Sequence, residues 1–301
     1  IIQSKSDKIY CEDFISSIDL TQFSLWFERL LIERFEEKKK LISIILEQNQ
    51  HNWEETLFKN IAKNFGLKVN VEAFEIWANS FPFNVLQKNQ LNASYVEALF
   101  FGQAGFLEED FDDKYYTQLK NDYHFLKTKY QLHANSSSIF RFSKMRPIGF
   151  PTIRLAQLAG IYSAYPNLFS LMMNKNELND FYQIFEKIKP HPFWETHYTF
   201  ANSSKFLSKK LSKDKINNLL INSIIPIRYA FDRTKDEVEI DFYLNLLSKI
   251  KAETNSILTT FETLGFENKS AKDSQQLIHL KKRYCSEKKC LNCAIGHHIL
   301  S

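Results

Sequence analysis

Three thiols and two imidazoles fall within the last seventeen residues: Cys285, Cys290 and Cys293, then His297 and His298. The spacing C-x4-C-x2-C-x3-H-H puts soft sulfur and borderline nitrogen donors in one short stretch, which is the donor chemistry of a zinc site. Tetrahedral zinc needs a fourth ligand, and two residues compete for that place. His297 is the local choice; Cys11, the only cysteine elsewhere in the chain, would tie its two ends together. An iron–sulfur cluster, which usually takes four cysteines, is the alternative cofactor. A site with four protein ligands has no open position for substrate, so the motif predicts a structural metal rather than a reaction. The competing reading is packed thiols without metal.

A second constellation is cationic. Arg141, Lys144, Arg146 and Arg154 crowd a stretch punctuated by Pro147 and Pro151, with a helix expected to start at Pro151. Backbone donors at a helix start favour anions, and arginine adds bidentate reach to phosphate. Contact with a phosphate-bearing ligand or a nucleic-acid backbone follows as an expectation. Against it stands a structural role in which Arg146 and Arg154 pair with carboxylates and pin the loop. An enzymatic role would use Arg146 and Arg154 as electrostatic stabilisers, with Glu54, Glu55 or Glu97 as acid or base, and needs them in one cleft. The acidic run Glu108-Glu109-Asp110 with Asp112 and Asp113 directly precedes an expected helix, where capping explains it better than cation binding.

Other chemistries leave no trace. The chain has no G-x-S-x-G, no Walker A loop and no dinucleotide fingerprint, and His191 and His197 do not form H-E-x-x-H. Four cysteines in 301 residues are too few for a disulfide framework, which favours a reducing compartment such as the cytoplasm. No apolar run reaches the roughly 18 residues that span a bilayer, so no membrane role is expected. The net charge is +4, but residues 203–301 carry 17 Lys/Arg against 11 Asp/Glu, so the basic excess lies in the C-terminal third. That permits an acidic partner, although a solvated lysine-rich surface is the simpler explanation.

The elements that must hold these groups are helices. Only 7 glycines accompany 27 Phe, 13 Tyr and 4 Trp, a composition for aromatic-cored helices rather than turn-rich sheets. Helical spacing predicts a long amphipathic helix over 21–48, then a helix from a cap at Asn52 to a stop at Gly66. Asn70 is a further cap candidate. Helices follow near 92–101, 112–131, from Pro151, and near 176–188, 213–230, 236–252 and 270–283, with Pro226 kinking or ending its segment. Gly102 and Gly105 suggest close packing or a special turn. Residues 133–139 read as a surface loop, and Ile139–Phe142 is the one short strand candidate. The expected fold is mostly α, an irregular multi-helix bundle with a C-terminal Cys-rich motif. It is read as a single helical domain over 1–301, with a possible subdivision near 133–150. Because Ile1-Ile2-Gln3-Ser4-Lys5 shows neither an initiator Met nor a signal-peptide pattern, the chain is expected to be part of a longer protein.

Several stretches together resemble the bacterial "domain of unknown function 2851" family. They are Trp26 to Arg34, Asn52 to Thr56, Glu97 to Leu107, Met145-Arg146-Pro147, Phe150 to Ala159, Asp273 to Ile278, and Tyr284-Cys285 with Cys290 to Gly296. The resemblance runs over almost the whole chain. It implies a further region before Ile1. The residues themselves are read as a binding or support module acting with that region, with a metal-stapled structural or protein-interaction scaffold, or a hydrolase-type domain, as the alternatives. Tyr10-Cys11-Glu12 resembles a cysteine–glutamate pair of the family, which favours Cys11 over His297 as fourth ligand. The family is named for its lack of a function, so the resemblance implies none.

Overall fold

In the computed structural model, which describes residues 9–236 and 238–300, helix follows helix. The only β-type pairings among these residues are isolated bridges, His197 with Ser203 and Lys251 with Ser270, so the fold is mostly α. Ile139–Phe142 is not a strand. Ser137–Ile139 is a 3-10 turn, and Phe140 is buried against the rings of Phe74 and Phe106 at 5.5 and 5.2 Å. Its alternation reflects one buried ring, not a partner strand. The Ile1–Lys5 tract lies outside the described residues.

The chain divides into two compact units, one of Ile1–Ile44 with Ile225–Ser301 and the other of Ile45–Ile224. We call them unit 1 and unit 2. The stretch 133–150 lies inside unit 2.

Unit 2 is built around aromatic rings. Phe58, on the Trp53–Phe65 helix, has the rings of Trp77, Phe81, Phe83, Phe100 and Tyr162 within 5.1–6.0 Å. The buried Trp77 indole donates to the Phe100 carbonyl at 3.0 Å, which satisfies its one polar atom. The Ala93–Gln103 and Lys114–Tyr130 helices pack closely enough that a Cβ on Gly102 would lie 2.1 Å from the Tyr123 ring. Gly105 has φ +74°, the left-handed region that glycine adopts without strain. Asp113 caps the second of these helices through Tyr116 N, so one member of the acidic run does the capping. The Pro151–Ala164 helix opens with proline in its first turn, as expected.

Helix starts in the sequence are realised by caps at Asn52, Asn92, Ser212, Asn255 and Ser270. Asn70 departs from this pattern. It precedes the Val71–Ala78 helix but makes no side-chain cap bond. Its amide is used elsewhere, as described below. Pro226 does not end its helix: the regular α-helix is interrupted just before it by a π-turn at Leu220–Ile224, which joins Lys213–Leu219 to Ile225–Arg233 and absorbs the missing donor.

Unit 1 packs the Ser24–Gln48 helix with the Ser256–Thr263 and Ala271–Leu280 helices around Leu30, Leu258, Phe261, Leu277 and Ile295. The Ala271–Leu280 helix begins with a reciprocal capping box between Ser270 and Asp273 and runs into a second π-turn, Lys281–Cys285.

Candidate functional site

The π-turn ends on Cys285. A 3-10 turn, Cys290–Asn292, then carries the chain into Cys293 and the short Ala294–Leu300 helix. This arrangement needs Gly296, because a Cβ there would sit 2.3 Å from the Cys290 carbonyl oxygen. The Cys293 side chain is buried, and the backbone amides of Ile295 and Gly296 donate to its sulfur. Cys11, from the far end of the sequence, packs into the same core beside Cys285 and Cys293. All four cysteines are free thiols.

Their electrostatics follow from that gathering. Burial pushes the Cys285 thiol up to about 12, and the nearby sulfurs of Cys293, Cys11 and Cys290 oppose its ionisation further. Cys11 is raised by burial first, then by Cys293 and, less strongly, by Cys290. Cys293 is raised by burial, with the two amides acting in the opposite sense. Burial thus favours the thiol form of Cys11, Cys285 and Cys293, and a cation is what could hold several of them together as thiolates. Among the described residues, however, no three Cys, His, Asp or Glu side chains stand at metal-coordinating geometry. The structure thus gathers Cys11, Cys285, Cys290 and Cys293 without closing them into a tetrahedron. His297 lines a groove of about 490 Å³ together with Cys293, Phe23, Trp26 and Arg29, and its amide donates to the Cys293 carbonyl at 2.8 Å.

The four cations of the proline-flanked stretch separate by burial. Arg141, Lys144 and Arg146 are exposed, and none forms an ion pair with the described residues. The turn that carries them is held by Asn70. Its amide nitrogen donates to the Arg141 carbonyl at 2.9 Å and to the Met145 sulfur at 3.4 Å, while its amide oxygen accepts from Arg141 N at 2.7 Å. Lys144 sits at φ +58°, so the turn is sharply formed. Arg154 lies inside the Pro151–Ala164 helix, mostly buried, with Nη1 donating to Gln157 at 2.7 Å and Nε without a partner. Burial alone pulls its pKa down to about 10. It shares this interior with Lys215, whose pKa burial depresses well below the usual lysine value and Arg154 depresses further. Lys215 donates to the carbonyl and side-chain oxygens of Asn64, both at 3.1 Å, and so closes the end of the Trp53–Phe65 helix. Arg154 is therefore an interior residue, distinct from the exposed three.

A family profile described as "Protein of unknown function (DUF2851)" matches residues 1–256. The chain belongs to the DUF2851 family. No curated protein and no solved structure matches it. The matched stretch includes Cys11, Asn70 and the basic turn but ends before Cys285, Cys290 and Cys293.

The carboxylates proposed for acid–base work have separate settings. Glu54 accepts from Phe169 N at 3.0 and 3.1 Å, and burial raises it to about 7. Glu97 accepts from the Tyr115 hydroxyl and the His191 amide, and burial likewise raises it to about 7. Tyr115 also accepts from the Trp194 indole at 3.0 Å and stacks on His191 at 4.1 Å. Glu55 pairs with Lys59 at 2.8 Å along its own helix. Each has its own local partners, and none of these contacts includes Arg146 or Arg154.

One constellation has no counterpart among the sequence motifs. In unit 1 a groove of about 710 Å³ is lined by Glu33, Glu37, His279, Arg283 and Tyr284, among others. Tyr284 donates to Glu33 at 2.8 Å, His279 Nε2 lies 3.4 Å from the same oxygen, and Arg283 Nε pairs with Glu37 at 2.7 Å. His279 is buried, and its Nδ1 has no hydrogen-bond partner, with Glu37 at 3.8 Å. Burial lowers its pKa. Beneath it, Arg34 and Lys38 both donate to the Gln275 oxygen at 2.6 and 3.3 Å, and Gln275 donates to Glu253. By spacing alone the glutamates are helix-stabilising partners for Lys38, Lys39 and Lys40. The available signal was the i, i+4 placement of Glu33 and Glu37 on one helix face.

Proposed function

We propose that this chain is a helical binding and support module whose basic turn takes a phosphate-bearing polyanion, with nucleic acid as the fitting class. One observation carries the reading: Arg141, Lys144 and Arg146 are exposed and form no ion pair with the described residues, on a turn whose backbone Asn70 holds from both sides. Cations without carboxylate partners give up no pairing energy when a phosphate arrives, and a backbone already held loses little chain entropy. The start of the Pro151–Ala164 helix adds backbone donors of the right sign. Arg154 is left out of the contact surface because it is interior. Anisotropy of a labelled oligonucleotide, followed over increasing salt, tests this. The expected result is binding at low salt that falls steeply with log[salt] and weakens in Arg146→Ala. No binding at low salt removes the reading.

A second observation supports a structural metal in unit 1. Four thiols converge from both ends of the sequence, two amides point at the Cys293 sulfur, and Gly296 permits the tight backbone beside Cys290. We assign Cys11, Cys285, Cys290 and Cys293 as a zinc site that the thiols close when the metal binds. Zinc would hold the thiolates against their mutual repulsion and supply no reaction. Elemental analysis of the purified chain tests it. Zinc at about one equivalent, lost in Cys11→Ser and retained in His297→Ala, fits a site of four thiolates. Iron with visible absorbance would replace zinc by a cluster, and absence of metal under reducing, chelator-free preparation would make the thiols packing groups. The hydrolase alternative has weaker support, since Glu54 and Glu97 have separate partners and the carboxylates Glu33 and Glu37 are each held by an arginine.

A further inference from the structure

The basic turn has a second basic segment beside it. Residues 201–212 meet the Pro151–Ala164 helix at Gln157 as irregular backbone, and their charged side chains are all lysines: Lys205, Lys209 and Lys210. Two contacts lay this segment and the stretch before it along the helix. Thr152 Oγ1 donates to the Tyr198 carbonyl at 2.5 Å, and Gln157 Nε2 donates to the Lys209 carbonyl at 2.8 Å. The basic turn enters the same helix at Pro151, where Phe150 meets the Tyr198 ring at 6.4 Å. Both basic segments therefore adjoin one helix within unit 2, the turn at its start and the lysine segment at Gln157.

Between the lysines, two apolar side chains point to water. Phe206 is 69% exposed and Leu207 is 47% exposed, although Leu207 N is fixed to the Glu195 carbonyl at 2.8 Å. Single exposed apolar residues are ordinary. Here an aromatic ring stands on a tethered backbone between two exposed cations, Lys205 and Lys210, neither of which makes an ion pair with the described residues. Lys209 does not belong to this surface. It is buried, with its ammonium 4.0 Å over the Tyr198 ring, and it serves to hold the segment down.

We infer that this face binds single-stranded nucleic acid, its phosphates running from the Arg141–Arg146 turn to Lys205 and Lys210 and a base stacking on Phe206. The inference rests on the polyanion reading above and adds the strandedness of the ligand. An alternation of cations with an exposed ring matches the repeat of a single strand, in which phosphate and unstacked base alternate. A duplex keeps its bases stacked inside and offers nothing to Phe206. Glu108 and Glu109 line the adjoining groove of about 610 Å³ with Phe142 and Thr199, so the phosphates are confined to the basic side.

The test compares a labelled oligothymidylate, a duplex of equal length and anionic phosphatidylserine vesicles on the full chain, with Phe206→Ala, Phe206→Trp and Arg146→Ala. The single strand should bind more tightly than the duplex. Phe206→Ala should weaken it about tenfold with the salt slope unchanged, and Phe206→Trp should restore it. Arg146→Ala should lower the slope by about 0.7. Equal or tighter duplex binding, or a Phe206→Ala variant that binds like the parent, overturns the single-strand inference and leaves the polyanion reading standing. Preference for vesicles reassigns the face to a lipid surface and overturns the inference. No binding of any probe at low salt overturns both. Unchanged circular dichroism of each variant shows that a loss is not unfolding.

Discussion

Unit 2 is one uninterrupted stretch of chain, whereas unit 1 is assembled from two segments separated by the whole of unit 2. Unit 2 can bury Phe58, Trp77, Phe100 and Tyr162 against one another using helices that follow directly in sequence. Such contacts close short loops and lose little chain entropy. Around its cysteines, unit 1 packs Ile9, Ile15, Leu30 and Ile295 with the rings of Phe23, Phe261 and Phe266, and brings these groups from opposite ends of the sequence. Its thiols are only partly buried there, apart from Cys293. The contrast teaches where a cross-link is worth most. A core built from neighbours holds through apolar area, while a core built from distant segments gains most from a bond that shortens the unfolded chain.

That contrast can be broken most sharply at the cysteines. Cys11 and Cys285 are roughly 270 residues apart. By the loop-entropy relation for cross-links, a metal bridging them is expected to contribute about 5 kcal/mol. Chelation or Cys11→Ser should therefore collapse hydrogen-exchange protection in 258–295 while leaving 58–100 protected. Equal loss in both segments, or none, would refute the division of labour. The next largest effect lies in unit 2. Trp77→Ala removes a fully buried indole and its bond to the Phe100 carbonyl, and should cost about 4 kcal/mol, read by chemical denaturation. Zinc content should not change in this variant.

The fold was legible in the sequence where periodicity and caps agree, as in the helices ending at Gln48, Phe65, Gln103 and Tyr130. Short helices such as Phe83–Asn89 and Leu168–Met173 were not, because so few residues show no period. Gly66 does follow the helix it was expected to stop, yet it has φ −64° and is not left-handed. It serves close approach instead, since a Cβ there would lie 2.4 Å from the Asn70 carbonyl oxygen. Asn70 has the residue type of a cap, but its tertiary bonds to Arg141 displace that use, and no local signal announces a partner 71 residues away. Arg154 matched its exposed neighbours in type and differed only in which face of its helix it occupies. The His279 groove was hidden for a related reason: its glutamates and its histidine lie more than 240 positions apart.

A pH titration sharpens the comparison further. Glu97 is held near 7 in the folded state against an ordinary 4.5, because burial disfavours its carboxylate. The raised value means that folding favours the protonated acid. The associated stability is complete below about 4.5 and is lost as pH rises through about 7, amounting to about 3 kcal/mol. Glu97→Gln keeps an acceptor for Tyr115 and the His191 amide but cannot ionise. Unit 2 of this variant should be the more stable at pH 8, and the difference should vanish at pH 4. The cysteine-bearing core should move oppositely if metal holds it, since acid protonates thiolates and releases zinc.

The smallest expected effect on stability discriminates between the two kinds of arginine. Arg146→Ala removes an exposed side chain with no ion pair, so its stability should stay within about 0.5 kcal/mol of the parent. Arg154→Ala removes an interior side chain and leaves the Gln157 oxygen without its donor at 2.7 Å, which should cost about 1–3 kcal/mol. Part of that cost is offset, because Arg154 and Lys215 repel one another and neither forms an ion pair with the described residues. Lys215 should accordingly become easier to protonate in Arg154→Ala, which a titration of its ammonium by NMR would register as an upward shift. If Arg146→Ala destabilises as much as Arg154→Ala, the exposed turn is part of the framework, and unit 2 holds no cation in reserve for a ligand.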